Sequence, residues 1–518
     1  MRDKFDANIL DRLAKSVTLA SPARESLPVS IPYTGELLGA VPAGQDDDVR
    51  HAVERARQAQ PAWAAQPVSA RAAILLRFHD LLLQRQDPIL DLIQLENGKA
   101  RLHAFEEVMD TAIVARYYAF RGPRFLRPRR RNGALLLLTK TWEQHVPVGV
   151  AGFIVPWNYP LNLSMTDAIP ALLAGNAVVI KPDPQTSFTA LWGAALLREA
   201  GLPPGVLHVV TGEGSAAGAA LPKYVDYIMF TGSGRTGRLI AAQAAGRLIG
   251  CSLELGGKNP MIVLEDADLE AAVDGAVRGC FVGAGQVCIS IERIYVHRSL
   301  YSRFLDRFGE RTRALKLGAA LDYSVEIGSL TSERQLRTVE SHVQDAVAKG
   351  ATVVAGGSRR PDLGPLFYEP TILTGVTGQM LPYAAETFGP VVSVYPFDSE
   401  NEAIGLANDT PYGLSSSVWT RHPSRGRRVA SRLRAGSVNV NDAYGPAWGS
   451  VDSPIGGQKE SGLRCRHGEE GILKFTEAQT VAVQRLLPIA PLPGMTRAAY
   501  ARMMTFLLRM MRRLPFLS

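Results

Sequence analysis

The sequence predicts an α/β fold built on parallel sheets, and three observations carry this. GVAGFIVP at 149–156 and NAVVIKP at 176–182 are short apolar runs closed by proline, as strands buried on both faces read. VLHVV at 206–210 and YIMF at 227–230 repeat the pattern, with helical stretches at 161–173 and 188–199. A second series of the same kind runs from about 261 to 441, so the 518 residues hold two doubly wound units, as the length also requires.

Taken in order, residues 1–45 read as extended and Pro-rich, with a strand or two over 27–43. Helices follow at 46–63, 69–83, 87–97 and 103–120. Val49, Val53 and Ala56 fall on one face of the first, and Ile74, Leu75, Phe78 and Leu82 on one face of the second. Residues 121–131 hold six arginines and no acid and read as a solvated connector. Residues 134–146 are β-rich and bent, which predicts a two-stranded arm. Asp268 is placed to cap a helix over 269–281, and the alternating, β-branched run 289–296 predicts a strand. From Tyr500, Met503, Met504, Leu507, Met510, Met511 and Leu514 recur at helical spacing opposite Arg502, Thr505, Arg509, Arg512 and Arg513. Such a helix suits the surface of an anionic bilayer, or it docks on this subunit or a neighbour.

The net charge of +8 is local. The arginines of 121–131 and of the tail beyond 492 exceed it, which leaves the rest slightly acidic and argues against a nucleic-acid partner. Four cysteines make no disulfide framework and predict a reducing, cytoplasmic setting, with the tail placing the protein at the inner face of the membrane as the alternative. No HExxH and no zinc-type Cys spacing occur, so no metal is expected. Residues 1–23 lack the apolar core of a signal peptide, and no run approaches the ~18 apolar residues of a membrane span.

Five places could carry chemistry. Cys288 lies on a Gly-containing connector between a helix and a strand, where small neighbours admit a substrate; a buried free thiol is the plain alternative. Thr231-Gly232-Ser233-Gly234-Arg235-Thr236-Gly237 follows a strand and opens a helix, which suits a phosphate, or it is an ordinary glycine-rich turn. Glu254 lies about twenty residues beyond, where a dinucleotide fold places its ribose-binding acid. Asn158, in PWNYP, offers an amide to an oxyanion or makes an Asx turn. Lys181 ends a strand at the edge where α/β sheets bind ligands, or is simply solvated.

PWNYP, IKP, FTGSGRTG, LELGGKNP, GQVC and ETFGP, in this order and with Glu254 and Cys288 thirty-four residues apart, resemble the aldehyde dehydrogenase superfamily over about 30–488. The resemblance implies two Rossmann-type domains, cofactor-binding over 1–124 and 148–256 and catalytic over 257–452. It also implies an oligomerisation arm over 125–147 and 470–488, including a strand over 479–486, in a homodimer or homotetramer. Residues 489–518 then form a cationic tail, with 495–518 as the part that could touch a membrane. Cys288 would attack a small-molecule aldehyde, Asn158 and the Cys288 N–H would hold the oxyanion, and Glu254 would activate water to release the acid. That role displaces ribose binding for Glu254. Lys181 and Glu386 would hold the riboses and Ser233 the pyrophosphate, with Trp157, Gly232, Gly237, Gly256 and Phe388 around the cofactor.

Two departures matter. Pro184 stands where many NAD-dependent members carry a ribose-binding Glu, so NADP is favoured over NAD. The wording resembles the NADP-dependent succinate-semialdehyde dehydrogenase branch most closely. Yet Thr166 and Val282 stand where members with that activity carry carboxylate-binding arginines. With Leu161, Leu163, Val287 and Ile289 nearby, an apolar pocket is expected, and an apolar aldehyde, aromatic or of medium to long chain, becomes the rival substrate; an anionic one needs another cation. Acyl transfer to coenzyme A is disfavoured by Glu254, which acylating relatives usually lack. A scaffold role is disfavoured by the intact Cys288, Glu254 and Asn158.

Overall fold

A computed structural model describes residues 7–133, 139–485 and 488–512. Three β-sheets organise them beside the small hairpin Ser26–Ser30 and Leu37–Pro42. The first main sheet has six strands in the order Gly462–Leu463, Gly250–Glu254, Tyr227–Thr231, Val150–Val155, Ala177–Pro182, Leu207–Val209. All pair in parallel except the edge strand Gly462–Leu463. Val150–Val155 is the switch point. The chain leaves it for Ala177–Pro182 on one side and later returns to Tyr227–Thr231 on the other. A ligand crevice is expected beyond the carboxyl ends at such a point. Helices cover both faces, so Val150, Ala151, Phe153, Val178, Val179 and Ile180 are all fully buried, which is why these strands read as unbroken apolar runs.

The second sheet has seven strands, ordered Thr352–Ala355, Thr371–Thr374, Val391–Phe397, Ile291–His297, Asn259–Val263, Ser415–Trp419, Ser437–Val440. Only Thr352–Ala355 runs antiparallel. Asn259–Val263 and Ile291–His297 lie side by side, joined through the helix Leu269–Phe281. That helix matches its expected bounds, and Asp268 accepts from Ala271 N as its cap, a contact of about 1 kcal/mol.

Several expectations need correction. Residues Ala7–Lys15 form a helix where extended chain was expected. Leu10 and Leu13 bury one side of it, too short a stripe to stand out in a Pro-rich stretch. The helix expected at 103–120 runs Arg101–Leu126, through Pro123. The arginine run is thus half helix and half strand, Arg129–Arg131, not a connector. The helix expected over 161–173 is two, Pro160–Met165 and Ala168–Leu173. The arm is a three-stranded antiparallel sheet of Thr476–Gln484, Thr139–Pro147 and Arg129–Arg131. The parts of the arm at 134–138 and 486–487, and of the tail at 513–518, lie outside the described residues. The tail helix is present as Arg497–Met511, and none of its residues is buried, so it does not dock on its own subunit. Among the described residues no helix is long and apolar enough to cross a membrane.

Candidate active site

Cys288 follows a turn that most residues cannot make. Gly283, Ala284 and Gly285 have φ of 57°, 55° and 71°, three left-handed residues in succession. Ala284 carries a Cβ there, the kind of strain that clusters at functional sites. A Cβ on Gly285 would stand 2.1 Å from the Gly389 carbonyl oxygen, so the turn is packed as well as bent. Asn259 fixes the far side: its amide donates to the carbonyls of Cys288 and Ser290, both at 2.8 Å, and its oxygen accepts from Ser415 N. The loop of Cys288 is therefore pinned to two strands of the second sheet.

Asn158 comes from the first sheet, just past Val150–Val155, and is held by buried charge. Lys99 Nζ donates to the Asn158 carbonyl oxygen and to Glu107 Oε1, at 2.5 and 2.6 Å. Glu107 in turn accepts from Leu161 N and Asn162 N. The Asn158 amide donates to Gln286 O at 3.1 Å, which ties it to the loop of Cys288. Glu254 ends the strand Gly250–Glu254.

Two cavities meet at these three residues. The larger, about 400 Å³, is lined by Trp157, Gly232, Ser233, Gly256, Glu386 and Phe388 among others; the smaller, about 80 Å³, runs the other way. Asn158, Glu254 and Cys288 line both. Burial, and then the Glu254 carboxylate, push the Cys288 thiol up to about 12, so the resting sulfur holds its proton. Burial lifts Glu254 to about 7, partly offset by the Arg466 guanidinium. A carboxyl so poised can take a proton near neutral pH.

The larger cavity fits a dinucleotide on observations of its own. Helix Gly234–Gly246 opens at its floor with Ser233 as cap, accepting from Thr236 N. Its first turn lines the cavity through Arg235 and Thr236, whereas the N-terminus of Ser187–Glu199 is filled internally by Glu96, which accepts from Phe188 N and Thr189 N. A Cβ on Gly256 would stand 2.1 Å from Glu386 Oε2, and one on Gly237 2.6 Å from Leu255 Cδ2. Glu386 accepts from Gly257 N at 2.8 Å. Phe388, at φ 52°, stands edge-on to Trp157 with centroids 5.5 Å apart, its N–H held by Glu292. Lys181 and Pro184 do not line this cavity. Lys181 is buried at the end of its strand, and Pro184 opens the short turn Pro184–Thr186 beside it. Burial lowers the Lys181 ammonium pKa, with Asp183 and Glu213 opposing.

All the motifs but IKP thus close on one site. A family model for the aldehyde dehydrogenase family matches residues 19–481. The chain belongs to the aldehyde dehydrogenase family. A putative succinate-semialdehyde dehydrogenase [NADP(+)] of Mycolicibacterium smegmatis is 52% identical over 95% of both chains. A crystal structure of an E. coli NADP dependent enzyme superposes with a TM-score of 0.87 at 36% identity, covering 92% of this chain and 99% of that one. The succinate-semialdehyde dehydrogenase of Burkholderia pseudomallei gives 0.85 at 36%, over 89% and 95%.

The smaller cavity of this aldehyde dehydrogenase is mainly apolar, as expected, but it carries ionisable groups as well. Leu163, Val287, Ile289 and Thr166 do line the smaller cavity, but Leu161 and Val282 lie in the core instead. Four ionisable side chains that sequence reasoning missed, Glu106, Asp110, Arg466 and His467, share the wall. Glu106 accepts from the hydroxyls of Tyr159 and Tyr444 at 3.4 and 3.2 Å. The string Arg464-Cys465-Arg466-His467 was a signal available in the sequence, but it falls in 453–469, between the units the motifs define.

Proposed function

We propose that this oxidoreductase catalyses the NADP-linked oxidation of succinic semialdehyde to succinate. The observation that carries the chemistry is the shared lining: Cys288, Glu254 and Asn158 stand where a cofactor-sized cavity and a substrate-sized cavity meet. The cofactor and substrate follow the names of the relatives, and the smaller cavity favours a short aldehyde over a long chain.

Trp157, Gly232, Ser233, Gly256, Glu386 and Phe388 would hold the dinucleotide, with Gly237 letting the helix approach and Lys181 and Pro184 beside the adenosine end. When bound, the dinucleotide supplies a hydride acceptor. Cys288 forms the bond to the aldehyde carbon as its sulfur gives up its proton to water, and the Asn158 amide and Cys288 N–H receive the oxyanion. After oxidation the thioester stays on Cys288. Glu254 takes a proton from water, the hydroxide adds to the thioester carbon, and the sulfur leaves with the proton returned to it. A carboxylate at the Pro184 position would repel a 2′-phosphate; proline there admits one.

Residues 1–124 and 148–256 then serve as the cofactor domain and 257–452 as the catalytic domain. The arm, whose strand Thr476–Gln484 is exposed along all but its first residue, would join a homodimer or homotetramer. Light scattering of the purified protein tests the assembly. The function is tested by NADPH absorbance on adding succinic semialdehyde, with and without coenzyme A. Turnover that is independent of coenzyme A and faster with NADP than NAD is expected; turnover only with coenzyme A would replace hydrolysis by acyl transfer.

A further inference from the structure

The smaller cavity holds three buried polar atoms with no hydrogen-bond partner among the described residues: Asp110 Oδ1, Arg466 Nε and His467 Nδ1. Leaving such atoms unsatisfied is costly, and their convergence on one wall marks where a polar group belongs. The charge balance says which kind. Arg466 pairs with Asp167 at 2.7 Å, and Lys474 pairs with the same carboxylate at 3.0 Å. Two cations sharing one anion leave a positive charge over. Of the carboxyls that could cancel it, Glu254 and Asp110 are lifted by burial to about 7 and Glu106 is raised by burial as well; in acid form Asp110 is a donor. His467 is held neutral by burial and by Arg466 and keeps one ring N–H. The segment is also strained: Arg464 and His467 have φ of 69° and 63°.

We infer that Arg466, with Asp110 and His467 beside it, receives the terminal carboxylate of the substrate and makes this enzyme select semialdehydes of dicarboxylic acids. This rests on the proposed substrate. It supplies the cation that Thr166 and Val282 do not. Arg466 Nη2 also donates to Thr231 Oγ1 at 2.9 Å, so its guanidinium is fixed before substrate arrives. Its Nε–H, which has no partner among the described residues, remains for the ligand.

The test compares succinic semialdehyde with butanal, which carries a methyl in place of the carboxylate, on the full-length enzyme with NADP. The readout is the ratio of kcat/KM for the two aldehydes, which cancels any loss shared through Glu254. Arg466→Gln is expected to lower the ratio about a hundredfold, as loss of a charge-assisted bond implies. Arg466→Lys should recover part of it, and Asp110→Asn should lower it a few-fold. If both aldehydes slow together and the ratio stays, Arg466 serves Glu254 alone and the inference is overturned. If the wild type itself shows no preference, the substrate reading has failed and takes the inference with it. Should Arg466→Gln not fold, product inhibition decides: succinate inhibiting the wild type far better than butyrate supports the inference, and equal inhibition contradicts it.

Discussion

The two cavities that meet at Cys288 are built in opposite ways. The larger is made largely by short, contiguous strings: PWN, the 231–237 turn and LELGG at the ends of strands, and ETF just before one. Its contacts are backbone N–H groups and glycines that admit close approach. The smaller is made by single side chains from 106, 110, 163, 166, 289, 444, 448 and 466, which only the tertiary fold brings together. The first kind of site is written locally; the second exists only once the chain has folded. The residues common to both, Asn158, Glu254 and Cys288, should therefore govern every substrate, whereas residues of one wall should govern one ligand.

Changes at the shared residues should be largest. Cys288→Ser should cut turnover about 10⁴-fold or more with every aldehyde, since nothing else on either wall is a nucleophile of comparable strength. Steady-state assays with two unlike aldehydes check this; a loss confined to one would break the division. Glu107→Ala strikes the support beneath both walls. It leaves the Lys99 ammonium buried without its anion and frees the N–H groups of Leu161 and Asn162. A loss of about 3–5 kcal/mol in denaturant unfolding is expected, together with weaker binding on both sides.

Glu254 should set the pH dependence of deacylation. With its carboxyl held near 7, the base works when ionised, so turnover should rise through about pH 7 and fall below it as the proton returns. A profile flat from pH 6 to 8 would remove the base from the limiting step. On the cofactor side alone, Pro184→Glu should shift the NAD/NADP ratio of kcat/KM toward NAD by roughly tenfold, one like-charge repulsion, and leave the aldehyde preference unchanged. An unchanged ratio would move the adenosine elsewhere. Removing residues 489–518 should matter least, changing kcat/KM by no more than about twofold, since no residue of the tail helix is buried.

The same contrast explains what the sequence could tell. Strands such as Val150–Val155 were legible because burial on both faces makes them continuously apolar, and helix Leu269–Phe281 because Asp268 marks its start. Cys288, Glu254 and Asn158 were legible through the strings around them. Arg466 was not, because its role depends on Asp167 and Lys474 bracketing it and on a cavity that no periodicity announces. Val282 misled for the same reason: its place matches a carboxylate-binding arginine of relatives, but beside the left-handed turn at 283–285 it lies in the core. The arginine helix at 121–126 was missed because charge and Pro123 argue for loop, while Gly122 packs against Leu173 and Ile472.

The proposed division of labour gives Cys288 the acyl group and Glu254 its release. Rapid mixing of Glu254→Gln with NADP and succinic semialdehyde, followed by intact-mass analysis, tests it most directly. One equivalent of NADPH per active site should appear in a burst, with an acyl group retained on Cys288 and slow turnover afterwards. Loss of the burst together with weakened NADP binding would show that Glu254 belongs to the cofactor wall, and would contradict its placement as the base that frees the acid.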